Sequence, residues 1–112
     1  MVLVEAFTAT VRRVGPAALI ELAGLIDGRA EAELEQSFHD AVRLSPEEVT
    51  LDFGGVNYIN STGIALIVGL LAKARASALP LAAVGLSDHY REIFEITRLS
   101  DFIEIRQEDS HE

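Results

Sequence analysis

A small hydroxyl group lies at the predicted start of the most apolar helix in the chain. Ser61 follows a predicted buried strand, Val49–Phe53, which closes at Gly54-Gly55, and it precedes a predicted helix over Ile64–Ala76. The first backbone N–H groups of a helix have no intrahelical acceptor, and the helix dipole makes that end partly positive. A negative group attached to Ser61 would therefore be stabilised at this position.

Two ordinary roles compete for Ser61, that of a helix cap and that of a nucleophile. Asn60 and Ser61 are both common capping residues, so the spacing alone favours capping. A nucleophilic serine needs a base within hydrogen-bond reach, and the Gly-x-Ser-x-Gly pattern of many hydrolases is absent. His39 and His89 are the candidate bases, but each is predicted on the surface of a helix. We therefore expect no enzymatic activity.

The sequence contains no recognisable site for a metal or a cofactor. It has no cysteine, and its three histidines match no metal-ligand spacing. Gly54-Gly55 follows a strand, but no phosphate-loop lysine comes after it, so a tight turn is predicted there. We expect neither a metal nor a cofactor.

The composition is that of one folded, acidic domain. The 112 residues carry a formal net charge of −9, which disfavours nucleic acids and anionic membrane surfaces as partners. The N-terminus lacks the pattern of a targeting signal, and the longest apolar run, Gly63–Ala72, is about half the length that a membrane span needs. We expect a single domain over residues 1–112, a cytoplasmic location, no membrane insertion, and a frayed acidic tail from about residue 107.

Hydrophobic periodicity predicts the element order β-β-α-β-α-β-α-β. An opening hairpin followed by alternating strands and helices is typical of an α/β domain with a mostly parallel sheet. The predicted strands are Val2–Val14, Ala17–Ala23, Glu48–Phe53, Leu81–Gly85 and Leu99–Ile105, and the predicted helices are Arg29–Leu44, Ile64–Ala76 and Asp88–Thr97.

Asp27 is a further candidate for the region around Ser61. Sites in such sheets gather at the carboxyl ends of strands. Asp27 follows the second predicted strand, so it could approach Asn60 and Ser61 after the third. Its ordinary role would be that of a turn or cap residue before the first helix.

The helix over Ile64–Ala76 is apolar on nearly all sides. Such a helix is either buried on most sides or carries an interaction surface. Leu66 and Leu70 are predicted on a different face from Ile67, so they are candidates for an exposed docking surface. Gly69 is predicted to permit the close approach of a neighbour.

Four segments of the chain together resemble the STAS-domain family of bacterial anti-sigma factor antagonists. Asn60-Ser61-Thr62-Gly63-Ile64 is similar to the family's phosphorylation motif, Asp-Ser-(Ser/Thr)-Gly-(Leu/Ile). The other three segments are Gly24-Leu25-Ile26-Asp27 before the first helix, Val49–Phe53 with Val56–Ile59, and Ile93–Leu99 with Phe102–Ile105. The segments occur in the family's order and spacing over essentially the whole chain.

This resemblance implies a mixed sheet with helices mainly on one face, and a regulated partner. The partner is an anti-sigma factor that is also a serine kinase of the histidine-kinase-like ATPase fold. The unphosphorylated antagonist binds it and frees the sigma factor; phosphorylation ends the complex, and a metal-dependent serine phosphatase resets the switch. Carried over by position, the resemblance implies that Ser61 would be the phosphate acceptor and that Asn60, Thr62 and Gly63 would contact the kinase. Asp27 matches the family's acidic position next to the acceptor.

The chain departs from the family pattern at two positions. Asn60 stands where the family usually has an acid, so it keeps the capping ability and lacks a charge beside the acceptor. Arg98 stands where the family often has glycine. An alternative function on the same fold is a constitutive interaction or scaffold module, for example a transporter-associated subunit, with Leu66 and Leu70 on its docking face.

Overall fold

The sheet has five strands, and their spatial order is the order of the sequence. A computed structural model describes residues 6–107. β1 pairs antiparallel with β2, and β2, β3, β4 and β5 pair in parallel. The strands are β1 (Thr8–Val14), β2 (Ala17–Ile26), β3 (Glu48–Ile59), β4 (Leu81–Val84) and β5 (Glu104–Ile105), and the helices are α1 (Glu31–Val42), α2 (Ser61–Ala76) and α3 (Asp88–Ile96). The predicted element order and the mostly parallel sheet are confirmed.

The helices cover one face of this sheet. Each helix joins two neighbouring parallel strands and every step runs in the same direction across the sheet, so right-handed crossovers place all three on one side. The burial pattern of β2 agrees, because every second residue from Ala18 to Ile26 is buried while the residues that alternate with them are half-buried. The core lies between this face and the apolar sides of the helices.

β2 and β3 are both longer than the sequence indicated, and the predicted turn at Gly54-Gly55 is wrong. β3 continues through these glycines to Ile59 and stays paired with β2. Two register shifts interrupt the pairing, and at the first of them β3 contains the extra residue, because Glu21 lies opposite Asp52 and Ala23 opposite Gly55. The glycines therefore permit a bulge within a continuous strand.

The C-terminal segment is less extended than the prediction of a strand over Leu99–Ile105. A 3₁₀ turn occupies Leu99–Asp101, and only Glu104–Ile105 pairs with β4. Arg98, before the turn, has φ of 67°, the left-handed conformation that glycine adopts most easily. The start of the first predicted strand and the acidic tail from residue 108 lie outside the described residues.

A side-chain cluster fastens the short strand β5 to the sheet. The Arg106 guanidinium binds both carboxylate oxygens of Glu48, at 2.7 and 2.9 Å, and a carboxylate oxygen of Glu104 at 2.8 Å. These hydrogen bonds lower the pKa of Glu48 below its ordinary value. Because β5 has only two residues, this ion pair supplements a small number of ladder hydrogen bonds.

Candidate functional site

The site is built where β2 and β3 end side by side. Ile26 and Ile59 are paired residues at these ends, and the backbone N–H of Asn60 donates to the carbonyl of Ile26 at 3.2 Å. Asp27 and Asn60 therefore leave the sheet as neighbours. The structure brings Asp27 to the Ser61 region, as the sequence indicated, because the two strands are parallel and end at the same level.

Asn60 caps α2 and fixes where the helix begins. Its backbone is extended, its side-chain oxygen accepts from the N–H of Gly63 at 2.8 Å, and its carbonyl accepts from Ile64 N–H at 2.9 Å. The helix begins at Ser61, three residues earlier than predicted. Since Asn60 has the capping role, the Ser61 side chain is not needed for it.

Ser61 occupies the first helical position and is exposed to solvent. Within residues 6–107, its hydroxyl forms no side-chain hydrogen bond, and Thr62 beside it is exposed as well. The N–H groups of Ser61 and Thr62 lie in the first turn, where a helix supplies no acceptor. The Ser61 hydroxyl is therefore accessible to another protein and lies at the positive end of α2.

Gly63 is buried beneath this first turn. A Cβ at this position would overlap the carbonyl oxygen of Ile26 and lie 2.9 Å from a methyl group of Ile59. Glycine therefore allows α2 to begin directly against the ends of β2 and β3. The expectation that Gly63 contacts a partner is wrong, because its place is inside the domain.

The Asp27 carboxylate forms an ion pair with Arg29. Its carboxylate accepts from the backbone N–H of Arg29 at 3.0 Å and from the guanidinium at 2.8 and 3.2 Å. These hydrogen bonds hold the pKa of Asp27 below its ordinary value. Asp27 also caps the 3₁₀ turn Gly28–Ala30, and a Cβ on Gly28 would lie 3.5 Å from the Thr62 methyl group. The Asp27 loop thus borders the first turn of α2.

Sequence reasoning missed Arg29. Its side chain is 69% exposed, so it presents a positive group on the loop next to Thr62. The signal that could have revealed it is its position two residues after Asp27, because a capping carboxylate and a nearby arginine readily form an ion pair. Next to Ser61, Asn60 carries no charge, and the Asp27 carboxylate is paired with Arg29.

The outer face of α2 differs from the prediction. Leu70 is only 2% exposed and belongs to the core, so the expectation that it lies on a docking surface is wrong. Leu66 is half-buried against the core and lines an open groove between α1 and α2. Val68 is 44% exposed, and among the described residues no atom lies within 4 Å of where a Cβ on Gly69 would be. The earlier start of α2 does not explain why Leu70 is buried rather than exposed. Leu70 is buried because α1 covers that side of α2.

The remaining candidates do not converge on Ser61. His39 and His89 are exposed on α1 and α3, as predicted for surface histidines. In the described part of the chain, no three His, Cys, Asp or Glu side chains are grouped so that they could hold a metal ion. Across residues 6–107, no helix has both the length and the apolar character needed to cross a membrane.

The chain belongs to the STAS-domain family. The family model described as "Mlab, STAS domain" matches residues 9–105. A curated relative, the anti-sigma-B factor antagonist of Listeria monocytogenes, is 33% identical over 87 residues, which cover 78% of this chain and 76% of the relative. The residues that the family model matches include the whole of the site described above.

Solved structures show the same fold. An anti-sigma factor antagonist from Mycobacterium paratuberculosis has a TM-score of 0.73 at 20% identity, covering 89% of this chain and 85% of that one. The Bacillus cell fate determinant SpoIIAA in its phosphorylated form has a TM-score of 0.66 at 19% identity, covering 92% of this chain and 93% of that one.

Proposed function

We propose that this chain is an anti-sigma factor antagonist that is switched off by phosphorylation of Ser61. The unphosphorylated protein binds an anti-sigma factor that is also a serine kinase of the histidine-kinase-like ATPase fold, and the sigma factor is released. The observation that carries the proposal is the exposed Ser61 hydroxyl at the start of α2, which forms no side-chain hydrogen bond within residues 6–107 because Asn60 caps the helix. The names of the curated relatives support the same function.

The contact surface that we propose is centred on the Ser61 turn. Asn60, Ser61 and Thr62 supply its middle, the Asp27 loop its edge, and Leu66 its continuation along α2. A phosphate adds a charge of about −1.5 to −2 near pH 7. At a helix N-terminus this charge is tolerated by the fold, so the phosphate acts at the interface by its bulk and charge.

The same proposal assigns the chain a regulatory role in the cytoplasm, without enzymatic activity of its own. A metal-dependent serine phosphatase would remove the phosphate and restore binding. The phosphorylation state of Ser61 would then decide whether the protein is active, because the kinase and the phosphatase both act on that one hydroxyl.

Incubation with the partner kinase and ATP tests the proposal. Intact-mass and fragment-mass measurements should show one phosphate, on Ser61, in the wild-type protein and none in Ser61→Ala. Ser77→Ala is the matched control, because it removes an exposed serine hydroxyl at the other end of α2 and should keep the phosphate on Ser61. Equal phosphate uptake by the wild type and Ser61→Ala would contradict the assignment.

A second candidate function is a constitutive interaction module. The exposed Val68 and the groove beside Leu66 favour it, because a partner could dock along α2 without contacting Ser61. Leu66→Lys should then abolish binding, whereas Ser61→Asp should leave it unchanged. Under the phosphorylation switch, Ser61→Asp should weaken binding strongly. Leu70→Lys is not informative here, because a buried lysine would destabilise the domain.

A further inference from the structure

Within residues 6–107, no strand pairs with the last residues of β3 on the side that faces β4. Pairing between β3 and β4 ends at Asp52 and Val84, whereas β3 itself continues to Ile59. Backbone groups on that side of β3 therefore need another partner if they are buried. At Ile59, directly before the helix cap, this partner is the side chain of Tyr90 on α3.

The Tyr90 hydroxyl contacts both backbone groups of Ile59. It accepts from the Ile59 N–H at 2.8 Å and lies 3.4 Å from the Ile59 carbonyl oxygen, to which it donates. Both residues are buried, with Tyr90 9% and Ile59 5% exposed. One hydroxyl thus replaces the missing strand at this point.

The next residue is held from the opposite side. Successive residues of a strand direct their N–H and C=O groups to alternate edges, so Asn60 faces β2 where Ile59 faces α3. Its N–H donates to the Ile26 carbonyl at 3.2 Å. The backbone that leads into the cap is therefore fixed between β2 and Tyr90.

The position of Tyr90 is set by α3, the helix to which it belongs. Ser87 caps this helix and accepts from the Tyr90 N–H at 3.2 Å. One turn further on, the buried ring of Phe94 packs edge-on against Phe53 of β3, with ring centroids 5.9 Å apart. The position of the hydroxyl is thus set by a helix that is anchored to the strand it supports.

We infer that Tyr90 is a positioning residue for the phosphate acceptor. Its hydroxyl fixes Ile59, Ile59 fixes the cap Asn60, and the cap sets the first turn of α2 that presents Ser61. The role of Ser61 as acceptor rests on the proposed function, whereas the positioning of the helix start by Tyr90 does not.

Amide hydrogen exchange of Tyr90→Phe, followed by NMR, tests the positioning. The variant keeps the ring and loses one hydroxyl, and we expect about fivefold to tenfold faster exchange at Ile59, as for loss of one buried hydrogen bond. Positioning requires a similar acceleration at Asn60, Gly63 and Ile64, to which the Tyr90 hydroxyl forms no hydrogen bond within residues 6–107. Acceleration at Ile59 alone would overturn the inference.

Ser37→Ala is the matched control for a general loss of stability. Its buried hydroxyl lies in α1 and donates to the Leu34 carbonyl at 2.8 Å, so it also loses one buried hydroxyl. The amides from Ile59 to Ile64 should exchange as in the wild type. Equal acceleration of these amides in both variants would mean global destabilisation and would overturn the inference.

Phosphorylation kinetics test the consequence for Ser61. With the partner kinase, Tyr90→Phe should lower kcat severalfold and leave KM unchanged, because the contact surface is intact while the acceptor is less well positioned. Identical kcat in the wild type and Tyr90→Phe would overturn this consequence. A wild-type protein that takes up no phosphate would instead refute the proposed function, and the exchange experiment would still decide the role of Tyr90.

Discussion

Replacement of the helix cap should destabilise the domain by more than an ordinary surface substitution. Asn60→Ala removes the oxygen that accepts from the Gly63 N–H at 2.8 Å. Loss of a capping side chain costs typically about 1 kcal/mol, with a range up to about 2 kcal/mol. Gly63 is buried, so its N–H would be left without an acceptor, and a buried unpaired donor costs about 1–3 kcal/mol. We therefore expect a loss of about 2 kcal/mol, at the upper end of the capping range.

For a domain of this size, 1 kcal/mol corresponds to about 4 °C in Tm, so Asn60→Ala should unfold about 8 °C earlier. Urea and thermal unfolding followed by far-UV circular dichroism measure both quantities. Ser77→Ala, at the other end of α2, is the control and should stay within about 0.5 kcal/mol of the wild type. If Asn60→Ala also stays within that limit, the capping assignment is wrong.

Asn60→Asp tests the effect of a negative charge at the helix N-terminus separately from the effect of the capping hydrogen bond. The new carboxylate should keep the hydrogen bond and gain about 0.3–1 kcal/mol from the helix N-terminus at pH 7. Both effects lower its pKa in the folded state. The gain is therefore present above the unfolded pKa of about 3.9 and lost as the pH falls through the folded value. An advantage over the wild type that persists unchanged at pH 2 would contradict this reasoning.

Two further predictions concern packing and acid sensitivity. Gly63→Ala should lower the unfolding free energy by more than 2 kcal/mol, since its Cβ would overlap a β2 carbonyl, and a urea midpoint close to that of the wild type would contradict this. Arg106→Gln should cost about 1 kcal/mol at pH 7. Because Arg106 lowers the folded pKa of Glu48, that stabilisation is present above the unfolded pKa of about 4.3 and is lost as the pH falls. The difference in urea midpoint from the wild type should therefore shrink by pH 3, and a constant difference would show that the ion pair is not its source.

Local chemistry made much of the fold readable from the sequence. Several sequence signals act within a few residues of the chain. They are the alternation of apolar and polar residues in the first strand, the capping residues Asn60 and Ser87, and the helical spacing of Leu34 and Phe38. Such signals predicted the number, type and order of the elements and the parallel sheet. They also placed Ser61 at a loop-to-helix junction, and the resemblance of four segments pointed to the STAS family.

Element ends depended on tertiary pairing instead. Gly54-Gly55 has the sequence of a turn, but β2 runs alongside it and offers ladder hydrogen bonds, so a bulged strand forms. Residues Leu99–Ile105 have strand-like alternation, but only Glu104 and Ile105 pair with another strand. The hydrophobic periodicity of a segment does not show with which distant segment it will pair, or where that pairing ends.

The surroundings of Ser61 were likewise determined partly by the local sequence and partly by the tertiary structure. The sequence by itself determined the hydroxyl, its asparagine neighbour and the apolar helix that follows. Only the tertiary structure decided that Leu70 and Gly63 are buried and that Tyr90 binds Ile59. The pairing of Arg29 with Asp27 is local, because the two residues are two positions apart in the chain. Burial and long-range hydrogen bonds depend on which elements pack together, so the exposure of Ser61 and the support beneath it follow from the fold.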